Sequence, residues 1–334
     1  MSLTAALPYI WATLIGVAVA FYVVLDGFDL GIGILFPFSP RNERDVMLAS
    51  IAPYWDGNET WLVLGGGGLL VAFPHAYAII MPAFYLPIIV MLLALVARGV
   101  TFEFRGIAQS KPLWDVVFAA GSTIAALCQG FVLGGFVQGI PVRDGEFAGG
   151  PFDWATPFGL LCALGVACGY ALLGATWLML RAEGSIAERA AAKARVLLIA
   201  VLGFMAAVSL YTPFAFPRIA QRWFAMPNLL YLAPVPVVTA AVAFAGWRAI
   251  AARRELAPFL AAVALFLLGY LGLAISTFPY IVPTALTIHD AAAAPSSQLF
   301  MLIGTMVLLP FVLGYTALAY WLLRGKVREG VGYH

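Results

Sequence analysis

The chain is built from apolar stretches, one after another, each long enough to cross a bilayer. About 20 mostly apolar residues span the roughly 30 Å hydrocarbon layer. Nine segments qualify: 9–35, 54–73, 76–100, 114–138, 156–180, 194–213, 228–249, 257–282 and 298–323. No water meets the backbone there, so each must satisfy its own amides as a helix. The sequence therefore predicts an all-α, polytopic integral membrane protein of nine transmembrane helices. Its 10% charged residues, against about 25% in soluble domains, agree with this. No connection could hold a soluble domain. The longest, 139–155, is Gly-rich and mildly acidic, so residues 1–334 read as one transmembrane domain. A net charge of +2 without a basic block argues against nucleic acid.

Lys and Arg set the orientation. With nine spans, the connections on the N-terminal side hold only Arg143, Arg218 and Arg222, and the remaining fifteen of the eighteen, from Arg41 to Arg328, fall on the other side. That bias predicts an N-terminus outside and a C-terminus in the cytoplasm. No basic residue or small-residue cleavage site precedes the first apolar run, so it reads as a retained span rather than a signal peptide.

Intramembrane acids are expensive and mark ion or proton pathways by default. Asp26 and Asp29 lie in the first span, three residues apart and so on one sector of a helix. Asp56 and Asn58 open the second span, in Trp55-Asp56-Gly57-Asn58. The short connection makes these spans neighbours, so the four side chains are expected to line one cleft reaching in from the cytoplasmic side. The competing reading has the aspartates capping helices or pairing with Arg98, a candidate structural counter-ion near the end of the third span. Glu103 and Arg105 read as solvated loop charges. Trp55 and Trp61 flank the polar cluster.

Histidine is scarce: His75, His289 and His334 all fall outside the spans, where none could be an axial haem ligand from a helix. Cys128, Cys162 and Cys168 lie in apolar segments without metal-type spacing and read as packed thiols. No metal or catalytic residue is expected. Gly27-x-x-x-Gly31 and Gly130-x-x-x-Gly134 predict close helix crossings, and the run Gly65 to Gly68 suits a tight crossing more than a gap for a small apolar molecule.

Several strings carry a resemblance. YVVLDGFDLGIGILFPF, ERDVMLASIAPYWDGNETWLVLGGGG, RGVTFEFR, LGGFVQGIPV, STFPYIVPTALTIHDAAAAPSSQL and YTALAYW are similar to subunit II of the cytochrome bd-type quinol oxidases. Within that family they are most similar to the short, cyanide-insensitive branch. The likeness runs from about residue 9 to 325.

The resemblance implies a haem-free subunit of two four-helix bundles plus one peripheral helix, in the bacterial cytoplasmic membrane. It implies a heterodimer with subunit I, which carries two haems b and one haem d. A small single-span subunit joins some complexes. The complex oxidises quinol, reduces O2 to water and takes up protons from the cytoplasm. Carried over by motif, Asp26 in DGFD and Asp56 in WDGN match proton-pathway positions, and Asp29 shares the first motif. Trp61 matches a tryptophan near the O2 channel. A structural quinone is held by some members. Asp290 and Gln298 fall in a matching DA…SSQ stretch without an implied role, interrupted by Ala293-Ala294-Pro295. The alternatives are a secondary transporter with the three aspartates as its cation site, and a purely structural assembly subunit.

Overall fold

A computed structural model of the chain describes residues 3–327; Arg328 and His334 lie outside the described residues. Thirteen helices run in order among those residues: α1 Leu3–Leu35, α2 Arg44–Ala49, α3 Trp55–Ala72, α4 Pro74–Ala83, α5 Tyr85–Ile107, α6 Pro112–Gln138 and α7 Pro157–Arg181. Then come α8 Gly184–Ala215, α9 Pro217–Phe224, α10 Asn228–Leu232, α11 Pro234–Ala251, α12 Leu256–Thr277 and α13 Pro295–Leu322. Two antiparallel hairpins, β1–β2 (Val142–Arg143 with Glu146–Phe147) and β3–β4 (Tyr280–Val282 with Leu286–Thr287), fold the connections after α6 and α12.

Six helices begin on proline (Pro74, Pro112, Pro157, Pro217, Pro234 and Pro295), where its missing N–H breaks no helical bond. At α7 the Thr156 hydroxyl also accepts from the Gly159 amide at 2.9 Å, capping the helix.

Among the described residues, eight helical segments are long and apolar enough to cross a membrane, with α10 and α11 counted as one. The ninth expected span, 54–73, forms α3, whose 18 residues reach about 27 Å. Its first turns hold Asp56, Asn58 and Glu59, which lower the hydropathy of that end. The segment 76–100 is corrected: it is not one helix. Pro87 has no N–H to give the Ala83 carbonyl, the ladder breaks at Phe84, and the span is α5, from Tyr85 to Ile107. Helix α8 also begins ten residues before the expected 194, at Gly184.

Helices α1 and α7 cross at the centre of the fold. A Cβ on Gly174 would come within 2.5 Å of the Gly31 carbonyl carbon, and one on Gly31 would collide with the Tyr170 carbonyl. Gly130 and Gly134 of α6 meet Ala163 and Gly159 of α7 equally closely. Both predicted small-residue motifs are therefore crossings. The glycine run of α3 divides: Gly65 and Gly68 pack on Val19 and Ile15 of α1, while Gly66 and Gly67 face open space. Around this centre α3 packs on α1, α6 packs on both α1 and α7 and carries α5, while α8 and α12 pack on α7 and α11 lies against both of them. Helix α13 touches α1 and α3 and leaves most of its apolar surface exposed.

Candidate functional site

The polar interior lies toward the C-terminal end of α1. Asp26 and Asp29 are both fully buried. Gly27 between them lets the Tyr170 ring close over the helix. Because α5 starts at Tyr85, Arg98 is not at a helix end but well inside α5, with no exposed surface. Its Nη2 donates to Asp26 Oδ1 at 2.6 Å and, at short range, to Glu59 Oε1. Glu59 sits on the second turn of α3, and its side chain keeps 25% of its surface exposed. One guanidinium therefore joins α1, α3 and α5.

A second branch begins at Asp29. The Asn58 amide donates to Asp29 Oδ2 at 2.7 Å and to the Leu25 carbonyl at 3.2 Å. Tyr320, in the YTALAYW string of α13, donates to Asn58 Oδ1 at 2.9 Å, and its ring stacks on Tyr54. On the other side of Asp26, one turn back along α1, Tyr22 accepts from Gln129, which in turn accepts from the Tyr170 hydroxyl at 2.5 Å. Asp26 Oδ2, Asp29 Oδ1 and Arg98 Nε and Nη1 are buried without a hydrogen-bond partner among the described residues. Buried polar atoms in native proteins rarely stay unpaired without a reason.

Of the four residues expected in one cleft, the structure joins three. Asp56 is exposed. Residues two apart on a helix lie about 200° apart, so Asp56 and Asn58 cannot both face α1. Asn58 does, and Glu59 supplies the third carboxyl. Asp56 stands in the first turn of α3, where the positive end of the helix dipole favours an acid. Trp61 is buried and stacks on Phe21 at 4.5 Å, and Trp55 stacks on Phe102 at 4.8 Å.

Three further placements differ from the sequence reading. Arg105 is not a loop charge: it is buried in the last turn of α5, donating to Asp115 at 2.7 Å and Asp45 at 2.6 Å. Arg44 and Lys111 complete that network through Asp115 and Asp45. Glu103 stays exposed but is helical. Gln298, given no role, is buried: its side-chain amide donates to the Ala72 carbonyl at 3.0 Å and its backbone carbonyl accepts from the Trp11 indole, tying α13 to α1 and α3. Asp290, outside the spans, is held below the usual carboxylate range by the Thr287 hydroxyl and then the Thr287 amide.

His75, in the first turn of α4, meets the Gly145 carbonyl, and His289, in the connection before α13, packs on Tyr9. Among the described residues no group of three or more His, Cys, Asp or Glu side chains is placed to hold a metal ion. Cys128 and Cys162 are buried and Cys168 half-buried, all free thiols.

A helical membrane protein whose central helices share a buried Arg–carboxyl network is the class these features define. Residues 7–323 match the family described as cytochrome bd terminal oxidase subunit II, and the chain belongs to that family. It is 30% identical to cytochrome bd-I ubiquinol oxidase subunit 2 of Escherichia coli K12, over 97% of this chain and 96% of the relative. It is 31% identical to cytochrome bd ubiquinol oxidase subunit 2 of Bacillus subtilis, with 97% of each covered. A chain in the structure of bd oxidase from Geobacillus thermodenitrificans shares the fold, with a TM-score of 0.69 and 18% identity over 96% of this chain and all of that one. These relatives are subunits of quinol:O2 oxidoreductases. The transporter alternative gains nothing from them.

Proposed function

We propose that this chain is the haem-free partner of a larger subunit I, which carries two haems b and one haem d. Together they form a bacterial inner-membrane oxidase that passes electrons from quinol to O2. On this reading α1, α3, α5 and α6 form one four-helix bundle, α7, α8, α11 and α12 the second, and α13 the additional helix. The N-terminus faces outward, and a structural quinone and a small single-span subunit belong to the assembly as in some relatives.

Within that assembly Asp26, Asp29, Glu59 and Asn58 deliver protons from the cytoplasmic side toward the partner's oxygen-reducing centre. The observation that carries this is the meeting of two carboxyls, Asp26 and Glu59, on one guanidinium, with a third, Asp29, buried one turn further along α1 and bonded to Asn58. More proton-accepting sites than neutralising charge suit uptake and transfer. Glu59, the carboxyl of the network with exposed surface, is the entrance, and exposed Asp56 gathers protons outside it. Trp61 and Trp55 line the apolar flank that O2 passes.

A second reading has its own support. Asp26 and Arg98 are sealed against each other, as a clamp between α1 and α5 would be. Asp26→Asn and Glu59→Gln, each purified with the native partner, separate the two. Proton delivery predicts loss of oxygen consumption with an unchanged reduced-minus-oxidised haem spectrum. A clamp alone predicts normal turnover wherever the spectrum is normal.

A further inference from the structure

The opposite end of the fold holds a second polar site that proton delivery does not use. Helix α9 lies across the ends of α6 and α12. Its Ile219 is buried, its Trp223 indole donates to Ser276 at 2.8 Å, and Arg218 bonds the Val137 carbonyl. A helix seated on the ends of spans lies where hydrocarbon gives way to headgroups. Between it, α10 and α12 is a groove of about 390 Å³ with Leu232, Ala274 and Phe278 among its apolar walls. Three polar side chains share that lining: Arg222, Asn228 and Tyr231.

Arg222 is the informative one. Its Nη2 donates to the Phe278 carbonyl at 2.6 Å, and its guanidinium lies 5.9 Å from the Phe278 ring centre. Both contacts fix its position and neither cancels its charge. Among the described residues Arg222 forms no ion pair with a carboxylate. Asn228 is held by its own bond to the Arg222 carbonyl at 3.1 Å. Val238 of α11, which follows α10, and Leu271 of α12 are exposed apolar residues further along the chain on either side of the groove.

We propose that this groove binds one anionic phospholipid. Its phosphate sits on Arg222 with Asn228 and Tyr231, and an acyl chain runs along the groove wall onto α11 and α12. A guanidinium matches a phosphate's paired oxygens, and the interfacial depth brings lipid phosphate to it. The apolar walls select a lipid over a soluble phosphate.

Native mass spectrometry of the delipidated complex, titrated with phosphatidylglycerol or with phosphatidylcholine of the same chains, tests this. The expected result is one saturable phosphatidylglycerol adduct bound about tenfold tighter than phosphatidylcholine. Arg222→Gln abolishes that preference, Ala274→Trp weakens the adduct by filling the groove, and millimolar inorganic phosphate does not displace it. Equal retention of the two lipids by the unmodified complex overturns the proposal whether or not the variants fold. So does an adduct unchanged in both variants, or one displaced by inorganic phosphate, which would assign a free-anion site.

Discussion

Arg98 holds Asp26 at 2.6 Å with neither side chain exposed, so the strongest electrostatic link between α1 and α5 lies where no solvent screens it. Such a pair contributes little net stability, because desolvation offsets the attraction, but breaking it from one side leaves a bare charge at a cost of about 3–5 kcal/mol. Arg98→Met should therefore greatly lower the yield and melting temperature of the complex. The double variant Arg98→Met with Asp26→Leu, which removes both charges, should recover much of that loss. Fluorescence-detected size-exclusion chromatography after heating measures both, and equal losses in single and double variants would count against the pairing.

Backbone proximity gives a second expectation. At Gly31 and Gly174 an added Cβ meets main-chain atoms that cannot swing aside. Gly31→Ala or Gly174→Ala should part α1 from α7 and cost about 1–3 kcal/mol, the usual range for overpacking. Gly66→Ala, which meets nothing within 4 Å, should be neutral or slightly stabilising through better helix propensity. Melting temperatures of the three purified complexes decide this.

Much of this was legible in the chain. The apolar runs located most of the long helices to within a few residues, and the DGFD spacing put Asp26 and Asp29 on one buried sector. What failed was rotation and depth. The choice between Asp56 and Asn58 depends on where α3 begins its turn, and their 200° separation, visible in the spacing, allowed only one to face α1. Glu59 was overlooked beside them, although it is the α3 carboxyl that reaches Arg98. Arg98 itself looked peripheral because Pro87 shifts the start of α5 by nine residues. Partners that come from distant helices, such as Tyr320 for Asn58 or Gln298 for Trp11, leave no local signal at all.

Glu59 and Asp56 should differ in kind if the network carries protons. Glu59→Gln removes a titrating carboxyl that bonds Arg98 directly, so oxygen consumption should fall by at least about tenfold, within the range usual for losing a proton-transfer group. Asp56→Asn removes only an exposed charge outside the network, so its effect should be smaller and fade with added salt, which screens exposed charges. Oxygen-electrode rates at low and high ionic strength, on complexes with matched haem spectra, test the order. A larger loss for Asp56→Asn would move the entrance to that residue.

The clamp around Asp45 should give the complex an acid limit of its own. Burial alone would raise this carboxyl, but hydrogen bonds from Lys111 and Arg105 outweigh it and hold the group below its ordinary value. A carboxyl depressed in the folded state stabilises fully above its unfolded pKa, about 3.9, and loses that contribution as pH falls through the lower folded value. Melting temperature should therefore drop below about pH 4 in the unmodified complex. Asp45→Asn should lower it at neutral pH and flatten that acid-side slope. The side chain is more than half exposed, so the effect should be modest and shrink in high salt. Parallel pH series for the two complexes settle the matter: slopes that coincide would mean Lys111 and Arg105 do not hold α2 against α5 through this carboxylate.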